Sequence, residues 1–289
     1  MKIHETAYAK LNLSLDVTGR MPDGYHSLST VMQSISLCDD IDISPSGSGW
    51  FVECGLPYVP TGPANLAAGA AELFRSRSGV GPEGGRIDII KRIPVRGGFG
   101  GGSSDAAAVL RALDREYGRP FDRPALEKLG EELGSDVPFC VFGGTAHATG
   151  RGEKLRPLPF LADCHFIICR PDFSCSTPEL FAALDRTKLR IRPDIQGMLA
   201  AVEAGDIQGM AVRMFNVFEE VLPRRHAEAV RRIKALLIDA GALGACMTGS
   251  GSGVFGVFAD GKSAEEGLGR MRDADCDCRT AHTALPPGL

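Results

Sequence analysis

Five glycines occupy the six residues Gly97–Gly102, between a segment that alternates like a strand and a segment with the apolar spacing of a helix. The alternation covers Arg86–Ile93, and the helical spacing covers Ser103–Tyr117. A link from a strand to a helix needs only about two to six residues, and it gains nothing from so much conformational freedom. Such a loop lets backbone N–H groups converge on an anion, with the helix dipole behind them. The run therefore predicts a phosphate-binding loop in a chain that mixes strands and helices.

Composition excludes several other classes of protein. The chain has 289 residues, 36 glycines and a formal net charge of −4, and its length suggests one large domain or two of ordinary size. A mildly acidic chain has neither the basic footprint of a nucleic-acid binder nor a polybasic membrane patch. The first ten residues lack the apolar stretch of a signal peptide, and the longest uncharged stretch, Gly241–Ala259, contains six glycines. We therefore expect a cytoplasmic protein with no nucleic acid and no membrane among its partners.

The nine cysteines include no CxxC pair, which is the spacing typical of zinc sites. Cys276 and Cys278 are the closest two along the chain. This spacing predicts ordinary thiols of a reducing cytoplasm.

Strict alternation over Ala7–Thr18 predicts a strand with one buried face. Its apolar residues stand at odd positions, whereas Lys10, Asn12 and Ser14 project together from the other face. Because that face is polar, Lys10 can point into a cleft rather than into the core.

A stretch rich in glycine and proline, Gly143–Pro159, indicates a domain boundary, which we place between residues 155 and 156. Beyond it the strand and helix signals follow the order β-α-β-β-α-β, once the intervening helices are left out. That order is the ferredoxin-like arrangement.

Two further motifs carry polar groups beside glycine. In Gly134-Ser135-Asp136-Val137-Pro138 the acid follows a helix stop and precedes a proline, so the spacing alone favours a turn or N-cap residue. Thr248–Gly253 separates two predicted strands, and a tight hairpin is the simpler interpretation. A functional role for this second loop requires that it face the first one.

The segment PVRGGFGGGSSDAAA, Pro94–Ala108, lacks the Gly-Lys-Ser/Thr end of a Walker A loop and does not fit the dinucleotide pattern. It resembles the phosphate loop of the GHMP kinases. AKLNLSLDVTGRMPDGYH (Ala9–His26), GSDVPFCVFGGTAHATGRG (Gly134–Gly152) and MTGSGSGVF near the C-terminus resemble the branch of that superfamily that acts on a cytidine diphosphate-linked methylerythritol.

This resemblance implies an α+β, two-domain GHMP kinase fold. Residues 1–155 would form the ATP-binding domain with the phosphate loop and the catalytic residues, and residues 156–289 a ferredoxin-like substrate-side domain. The implied reaction transfers the γ-phosphate of ATP, with Mg²⁺, to the tertiary 2-hydroxyl of the cytidine diphosphate-linked methylerythritol, in the non-mevalonate route to isoprenoid precursors.

The resemblance also implies roles for individual residues. Asp136 would be the general base and Lys10 its cationic partner, and Ser104 is the best candidate for a Mg²⁺ ligand. The implied nucleotide contacts are Pro94, Gly97, Gly98, Gly100, Gly101, Gly102, Ser103, Ser104, Asp105 and Asn65. The implied substrate contacts are Asn12, Tyr25, His26, Thr177 and Phe181.

Some of these residues have simpler explanations. Asn65 stands equally well as a helix-start residue, Phe181 has the spacing of a core residue, and Tyr25-His26 fits the edge of a turn. Arg96 and Phe99 depart from the family pattern, which favours small or aliphatic residues at both positions.

Two other functions remain open: another GHMP small-molecule kinase, of the homoserine or mevalonate type, and a non-catalytic nucleotide-binding relative. The quaternary state is a monomer or a homodimer.

Overall fold

A computed structural model describes residues 2–284; the outermost ends of the two predicted domains, residue 1 and residues 285–289, lie outside the described residues. The chain forms two β-sheets, one of seven strands and one of four, with helices packed against both. The strands are β1 (Ile3–Arg20), β2 (His26–Pro45), β3 (Gly49–Glu53), β4 (Gly84–Ile90), β5 (Thr145–Gly150), β6 (Lys154–Pro157), β7 (His165–Pro171), β8 (Phe215–Asn216), β9 (Gly244–Met247), β10 (Val254–Phe258) and β11 (Cys276–His282). The helices are α1 (Leu66–Ser78), α2 (Gly101–Glu116), α3 (Arg123–Glu131), α4 (Val137–Phe142), α5 (Thr177–Arg186), α6 (Ile195–Glu203), α7 (Ile207–Ala211), α8 (Arg224–Asp239) and α9 (Gly261–Arg270).

The seven-stranded sheet is built around β1 and β2, which pair antiparallel along nearly their whole lengths. Its main order is β3-β4-β2-β1-β8. The other edge of β2 is shared, because one end of it pairs with β4 and the other end with β5, which in turn pairs with β6. Strand β8 comes from the second half of the chain, and it joins the sheet by pairing parallel with β1 at Ser14 and Leu15.

The four-stranded sheet has the order β11-β7-β10-β9, and every neighbouring pair is antiparallel. When the four strands of this sheet are numbered along the chain, the order is fourth, first, third, second. Helices lie between its first two strands and between its last two, as a split β-α-β arrangement requires. The predicted ferredoxin-like topology and the α+β class are therefore confirmed.

Strand β1 contributes apolar side chains to three separate cores. Ala7 packs in the core beneath α1 and α2, Leu11 and Leu13 pack against β7 and α6, and Leu15 packs with α8 and β10. The alternation predicted that the apolar face of β1 is buried and that the polar face is not. The second part is wrong, because the polar residues Lys10, Asn12, Ser14 and Asp16 are buried as well.

The predicted boundary between residues 155 and 156 falls inside β6, Lys154–Pro157. A hydrogen-bonded strand is not a place where one unit ends and another begins. We therefore keep the two-domain division as a proposal and move its boundary to the end of β6. Among residues 2–284, no helix has both the length and the apolar character needed to cross a membrane.

Candidate active site

The predicted phosphate loop, Gly97–Gly102, is held in shape by close contacts that only glycine permits. Gly98 and Gly100 have φ angles of +79° and +74°. A Cβ at Gly98 would stand 2.3 Å from the Thr248 carbonyl oxygen, and one at Gly100 would stand 2.9 Å from Cγ of Lys10. The loop therefore lies against both β1 and the second glycine loop, and a side chain at either position would push it away.

Phe99 explains one departure from the family pattern. Its side chain is fully buried, and a Cβ at Gly97 or at Gly253 would fall within 3 Å of its ring. The aromatic ring thus fastens the middle of the loop to the core where an aliphatic residue was expected. Arg96, the other departure, is exposed and has a φ of +58°.

The second glycine loop, Thr248–Gly253, faces the first, which was the condition for giving it a functional role. The Gly253 N–H donates to the Gly97 carbonyl oxygen at 2.9 Å. The Thr248 hydroxyl oxygen accepts a hydrogen bond of 3.1 Å from the Asn12 N–H. The two loops and the polar face of β1 consequently meet at one place.

Lys10 and Asp136 form an ion pair at that meeting point. Lys10 Nζ lies 3.3 Å from Asp136 Oδ2 and donates to Asn12 Oδ1 at 2.7 Å. The lysine side chain is 4% exposed, whereas the aspartate side chain is 36% exposed. The Asn12 amide in turn donates to the Thr30 hydroxyl at 2.9 Å. Lys10 is therefore held in a buried position, whereas the Asp136 carboxylate remains accessible to solvent.

Asp136 occupies the N-cap position of α4, as the alternative interpretation of its motif required. Its side chain, however, makes no capping hydrogen bond to that helix. The carboxylate is directed to Lys10 instead. Its position in the turn and its contact with Lys10 are thus compatible.

A cleft of about 810 Å³ opens above this ion pair. Its size is typical of small-molecule sites. The predicted residues that line it are Lys10, Asn12, Tyr25, His26, Gly98, Gly100, Asp136, Thr177 and Phe181. The sequence prediction missed Arg151 and Ser250, which line it too, although both stand inside motifs that carried the resemblance.

An aromatic cluster forms one wall of the cleft. The rings of His26 and Phe181 stack with centroids 4.5 Å apart. Nε2 of His26 lies 2.8 Å from Oδ1 of Asp185, and this hydrogen bond lowers the pKa of the Asp185 carboxyl. Tyr25 is 59% exposed, and the Arg151 guanidinium lies 5.1 Å from the centre of its ring. The wall therefore presents aromatic faces and a fixed histidine edge.

Thr177 connects this wall to the second glycine loop. Its hydroxyl oxygen lies 2.6 Å from that of Ser250. Because Thr177 is the first residue of α5, the contact positions the helix that carries Phe181. The prediction placed Thr177 near the substrate but did not indicate this partner.

Two predicted roles do not fit the geometry. The Ser104 hydroxyl is buried, donates to the Tyr8 carbonyl oxygen at 2.7 Å and is therefore not directed toward a metal ion. Asn65 caps α1: its Oδ1 accepts from the Ala67 N–H, and its Nδ2 donates to the Pro60 carbonyl oxygen. Asn65 is therefore a helix-start residue in the structure, because both the oxygen and the nitrogen of its side-chain amide are already hydrogen-bonded.

A buried charge cluster lies behind the phosphate loop. Lys91 Nζ donates to Asp39 Oδ2 at 2.6 Å and to Asp105 Oδ2 at 2.5 Å. Oδ1 of Asp105 is buried without a hydrogen-bond partner. Burial raises the pKa of Asp105 to about 7, because the charge of Lys91 only partly offsets the lost hydration. Of the predicted nucleotide contacts, Asp105 thus proves to belong to the layer that supports the loop.

We expect Asp105→Asn to make the protein relatively more stable at high pH. In the unfolded chain the Asp105 carboxyl loses its proton at about pH 3.9, whereas in the folded protein it retains the proton until about pH 7. Between these values the folded state binds more protons, so the free energy of unfolding falls as the pH rises. Urea unfolding is measured at about pH 5 and at about pH 8. Between these two pH values, the free energy of unfolding of the variant should rise by at least about 1 kcal/mol relative to that of the parent. Exposed Asp239→Asn is the control, and an equal offset at both pH values would contradict the assignment.

Comparisons with known proteins show the family to which the chain belongs. The family model for the GHMP kinases N terminal domain matches residues 65–144, and the model for the GHMP kinases C terminal region matches residues 198–275. A 4-diphosphocytidyl-2-C-methyl-D-erythritol kinase of Pelotomaculum thermopropionicum is 42% identical over 287 residues, covering 99% of both chains. The enzyme of the same name from Clostridium kluyveri is 43% identical over 254 residues, covering 88% of this chain and 90% of the relative.

Solved structures show the same relationship. A crystal structure of 4-(cytidine 5′-diphospho)-2C-methyl-D-erythritol kinase superposes with a TM-score of 0.79 at 33% identity, covering 98% of this chain and all of the other. The homoserine kinase of Cytophaga hutchinsonii superposes with a TM-score of 0.77 at 17% identity, covering 99% of this chain and 96% of the other. At that lower identity the likeness concerns the fold alone.

Proposed function

Because this chain belongs to the GHMP kinases and, within them, to the 4-diphosphocytidyl-2-C-methyl-D-erythritol kinase family, we propose that its cleft transfers the γ-phosphate of ATP to the tertiary 2-hydroxyl of 4-diphosphocytidyl-2-C-methyl-D-erythritol. The reaction belongs to non-mevalonate isoprenoid precursor biosynthesis. The observation that carries the proposal is the Lys10–Asp136 ion pair, which lies in one cleft with the two facing glycine loops.

The proposed chemistry needs a base and a cation at the acceptor oxygen. A tertiary alkoxide is too basic to form in advance, so a base must take the hydroxyl proton as the new P–O bond forms. The Asp136 carboxylate takes that proton, and the oxygen bonds to the γ-phosphorus while the bond to ADP breaks. Lys10 holds the carboxylate in place and stabilises the negative charge that develops on the transferred group.

The phosphate groups of ATP are assigned to the beginning of α2. The first N–H groups of a helix have no intrahelical partners, and here they belong to Gly101, Gly102 and Ser103. Gly100 caps the helix without a side chain, so the approach to these N–H groups is open. Pro94, Gly97 and Gly98 complete the proposed cradle, in which the helix dipole favours anions.

Mg²⁺ is expected to accompany ATP, but the residue proposed to bind it does not fit. Ser104 uses its hydroxyl on the Tyr8 carbonyl. Within residues 2–284, the histidine, cysteine and carboxylate side chains form no three-ligand cluster at the phosphate loop. We therefore propose that the ion is held by the nucleotide phosphates and water, as Mg²⁺ often is, and we assign no step to it.

The cytidine base is assigned to the aromatic wall. Tyr25 and Phe181 offer faces for stacking, and His26 offers a ring nitrogen whose orientation Asp185 fixes. Asn12 is assigned to the erythritol end because it lies beside Lys10, and Thr177 is assigned to the substrate through its place on the cleft wall. This wall distinguishes the proposed substrate from homoserine or mevalonate, neither of which carries a base to stack.

Phe181→Ala is expected to raise the KM for the cytidine substrate about tenfold while leaving the KM for ATP nearly unchanged. Stacking of a base on an aromatic side chain contributes about 1–3 kcal/mol, and about 1.4 kcal/mol corresponds to a factor of ten. Phe160→Ala, a partly exposed phenylalanine outside the cleft lining, is the control. Equal increases in both KM values would contradict the stacking assignment.

The function as a whole is tested with purified protein, ATP, Mg²⁺ and a panel of alcohols. We expect ADP release and a product heavier by one phosphoryl group with 4-diphosphocytidyl-2-C-methyl-D-erythritol only. Phosphorylation of homoserine or mevalonate instead would replace the proposal, and ATP binding without transfer to any alcohol would identify a non-catalytic relative. We place the reaction in the cytoplasm, where ATP is supplied, and leave the quaternary state open between monomer and homodimer.

A further inference from the structure

Three cysteines from distant parts of the sequence meet at one edge of the four-stranded sheet. Sγ of Cys169 lies 2.7 Å from Sγ of Cys278, and Sγ of Cys276 lies 3.5 Å from the same atom. All three sulfur atoms lie within 4.8 Å of one another. We call these residues the thiol triad.

Strand pairing explains why the triad forms. Cys169 on β7 and Cys278 on β11 are directly opposite each other in the antiparallel register. Cys276 stands two residues before Cys278, so its side chain projects from the same face of β11. The shared face packs on the core formed with α8 and α9. The triad is therefore specified by the register of two strands rather than by local sequence.

The triad has a closed floor and an open side. Cys169 is fully buried, whereas Cys276 and Cys278 are partly exposed. An ion can consequently enter from the side of β11 and meet a third sulfur in the core. The surrounding side chains are mostly apolar, which leaves the sulfur atoms as the donors available to it.

We propose that the thiol triad binds one thiophilic d¹⁰ metal ion, with Cu⁺ preferred over Zn²⁺. Thiolate sulfur selects such ions over Mg²⁺ or Ca²⁺. Among the histidine, cysteine and carboxylate side chains of the described residues, the cluster contains these three and no fourth. Structural Zn²⁺ sites in proteins are almost always four-coordinate, whereas three sulfur ligands suffice for Cu⁺. Binding forms three metal–sulfur bonds, and every triad thiol that is protonated gives its proton to the solvent.

A disulfide between Cys169 and Cys278 is the competing outcome. It would need an oxidant, which would accept the two electrons released as the two thiols lose their protons. It would also leave Cys276 unused, although its sulfur lies 3.5 Å from Cys278. The presence of three sulfur atoms rather than two favours the metal.

Bound metal would join β11 to β7 at the end of the described chain. Strand β11 is followed by a bridge from Thr283 to Ile35 of β2, so it also contacts the first sheet. We expect bound metal to raise the thermal midpoint without changing kinase turnover, because no triad residue lines the catalytic cleft.

The test is an anaerobic titration of the reduced full-length protein with Cu⁺, and in parallel with Zn²⁺ and Cd²⁺. We expect one Cu⁺ per chain after desalting, an ultraviolet sulfur-to-metal absorption band, and a higher thermal midpoint. Cys276→Ser should weaken Cu⁺ binding at least tenfold and remove most of the band, whereas Cys54→Ser, a partly exposed cysteine elsewhere, should bind like the parent. Cys169→Ser should also lose Cu⁺ binding, and Cys278→Ser takes its place if the substitution at the buried Cys169 prevents folding.

Three results would overturn the proposal. One is the absence of stoichiometric Cu⁺, and the second is binding that is unchanged in Cys276→Ser and Cys278→Ser. The third is a Cys169–Cys278 disulfide, seen by mass spectrometry in protein purified without metal, that persists under mild reduction. Tighter binding of Zn²⁺ than of Cu⁺ to the same residues would overturn the stated preference. None of these readouts depends on kinase activity, so the triad and the proposed function are tested separately.

Discussion

Asp136→Asn is expected to lower kcat about a thousandfold while changing the KM values for ATP and the cytidine substrate by less than about threefold. An amide of nearly the same shape fits the same space but cannot take the hydroxyl proton. Since α4 receives no capping bond from this side chain, the substitution should leave the fold unchanged. Steady-state kinetics with ADP release as the signal measures the effect, and urea unfolding checks the fold.

The matched control for this variant is Glu132→Gln. Glu132 also lines the cleft, but its carboxylate pairs with Arg77 rather than with Lys10. Its conversion to an amide should keep kcat within about twofold of the parent. Near-normal turnover of Asp136→Asn, or an equal loss in both variants, would remove Asp136 from the role of base.

The second large effect is expected for Lys10→Met, which should lower kcat by a factor of about 10²–10³. Methionine has a comparable length and retains packing against Gly100, but it has no charge to hold the Asp136 carboxylate or to stabilise the transferred phosphoryl group. The exposed lysine variant Lys262→Met controls for the loss of one positive charge from the chain.

The double variant Lys10→Met/Asp136→Asn tests whether the two residues act together. Groups that serve one step are not additive, so the double variant should be only slightly slower than the slower single variant. If the loss of kcat in the double variant equalled the product of the two single losses, the residues would act independently. That result would contradict the assigned partnership. Urea midpoints close to that of the parent are needed in every variant, because Lys10 is buried.

Local sequence patterns predicted the helices and the loop well. The helical spacing over Ser103–Tyr117 corresponds to α2, which begins two residues earlier at Gly101. Apolar residues at helical spacing over Arg224–Ala240 likewise predict a helix, and the structure has α8 at Arg224–Asp239. These segments carry their own start and stop signals, and the apolar period of a helix depends on neighbours within the same segment. The phosphate loop was predictable for a similar reason, since its glycines are contiguous.

Features that depend on distant partners were not predictable in the same way. Strand β2 runs over twenty residues, yet the sequence carries only a short strand signal there, at Ile41–Ser44. Irregularities in the pairing of β2 with β1 interrupt the period over the rest. The polar face of β1 was predicted to open on a cleft, but its burial depends on the two glycine loops that cover it. The thiol triad depends on a register between residues 109 apart, and no local spacing encodes that.

The site residues likewise form two groups, those that sequence motifs identified and those that only the folded structure reveals. Lys10, Asp136 and His26 stand in motifs that the family resemblance identified, and the structure brings them to one cleft, where their roles remain proposals. Asp185, Lys91 and Asp39 had no sequence signal. Each of these acts on a predicted element from another part of the chain, so only the folded arrangement reveals it.

The passage of β1 through three cores has a consequence for synthesis of the chain on the ribosome. Leu11, Leu13 and Leu15 leave the exit tunnel well over a hundred residues before their packing partners in β7, α6 and α8. Until then the nascent first half leaves part of the apolar face of β1 uncovered. Such surfaces aggregate readily and attract chaperones. Strand β1 is thus translated long before its packing is completed.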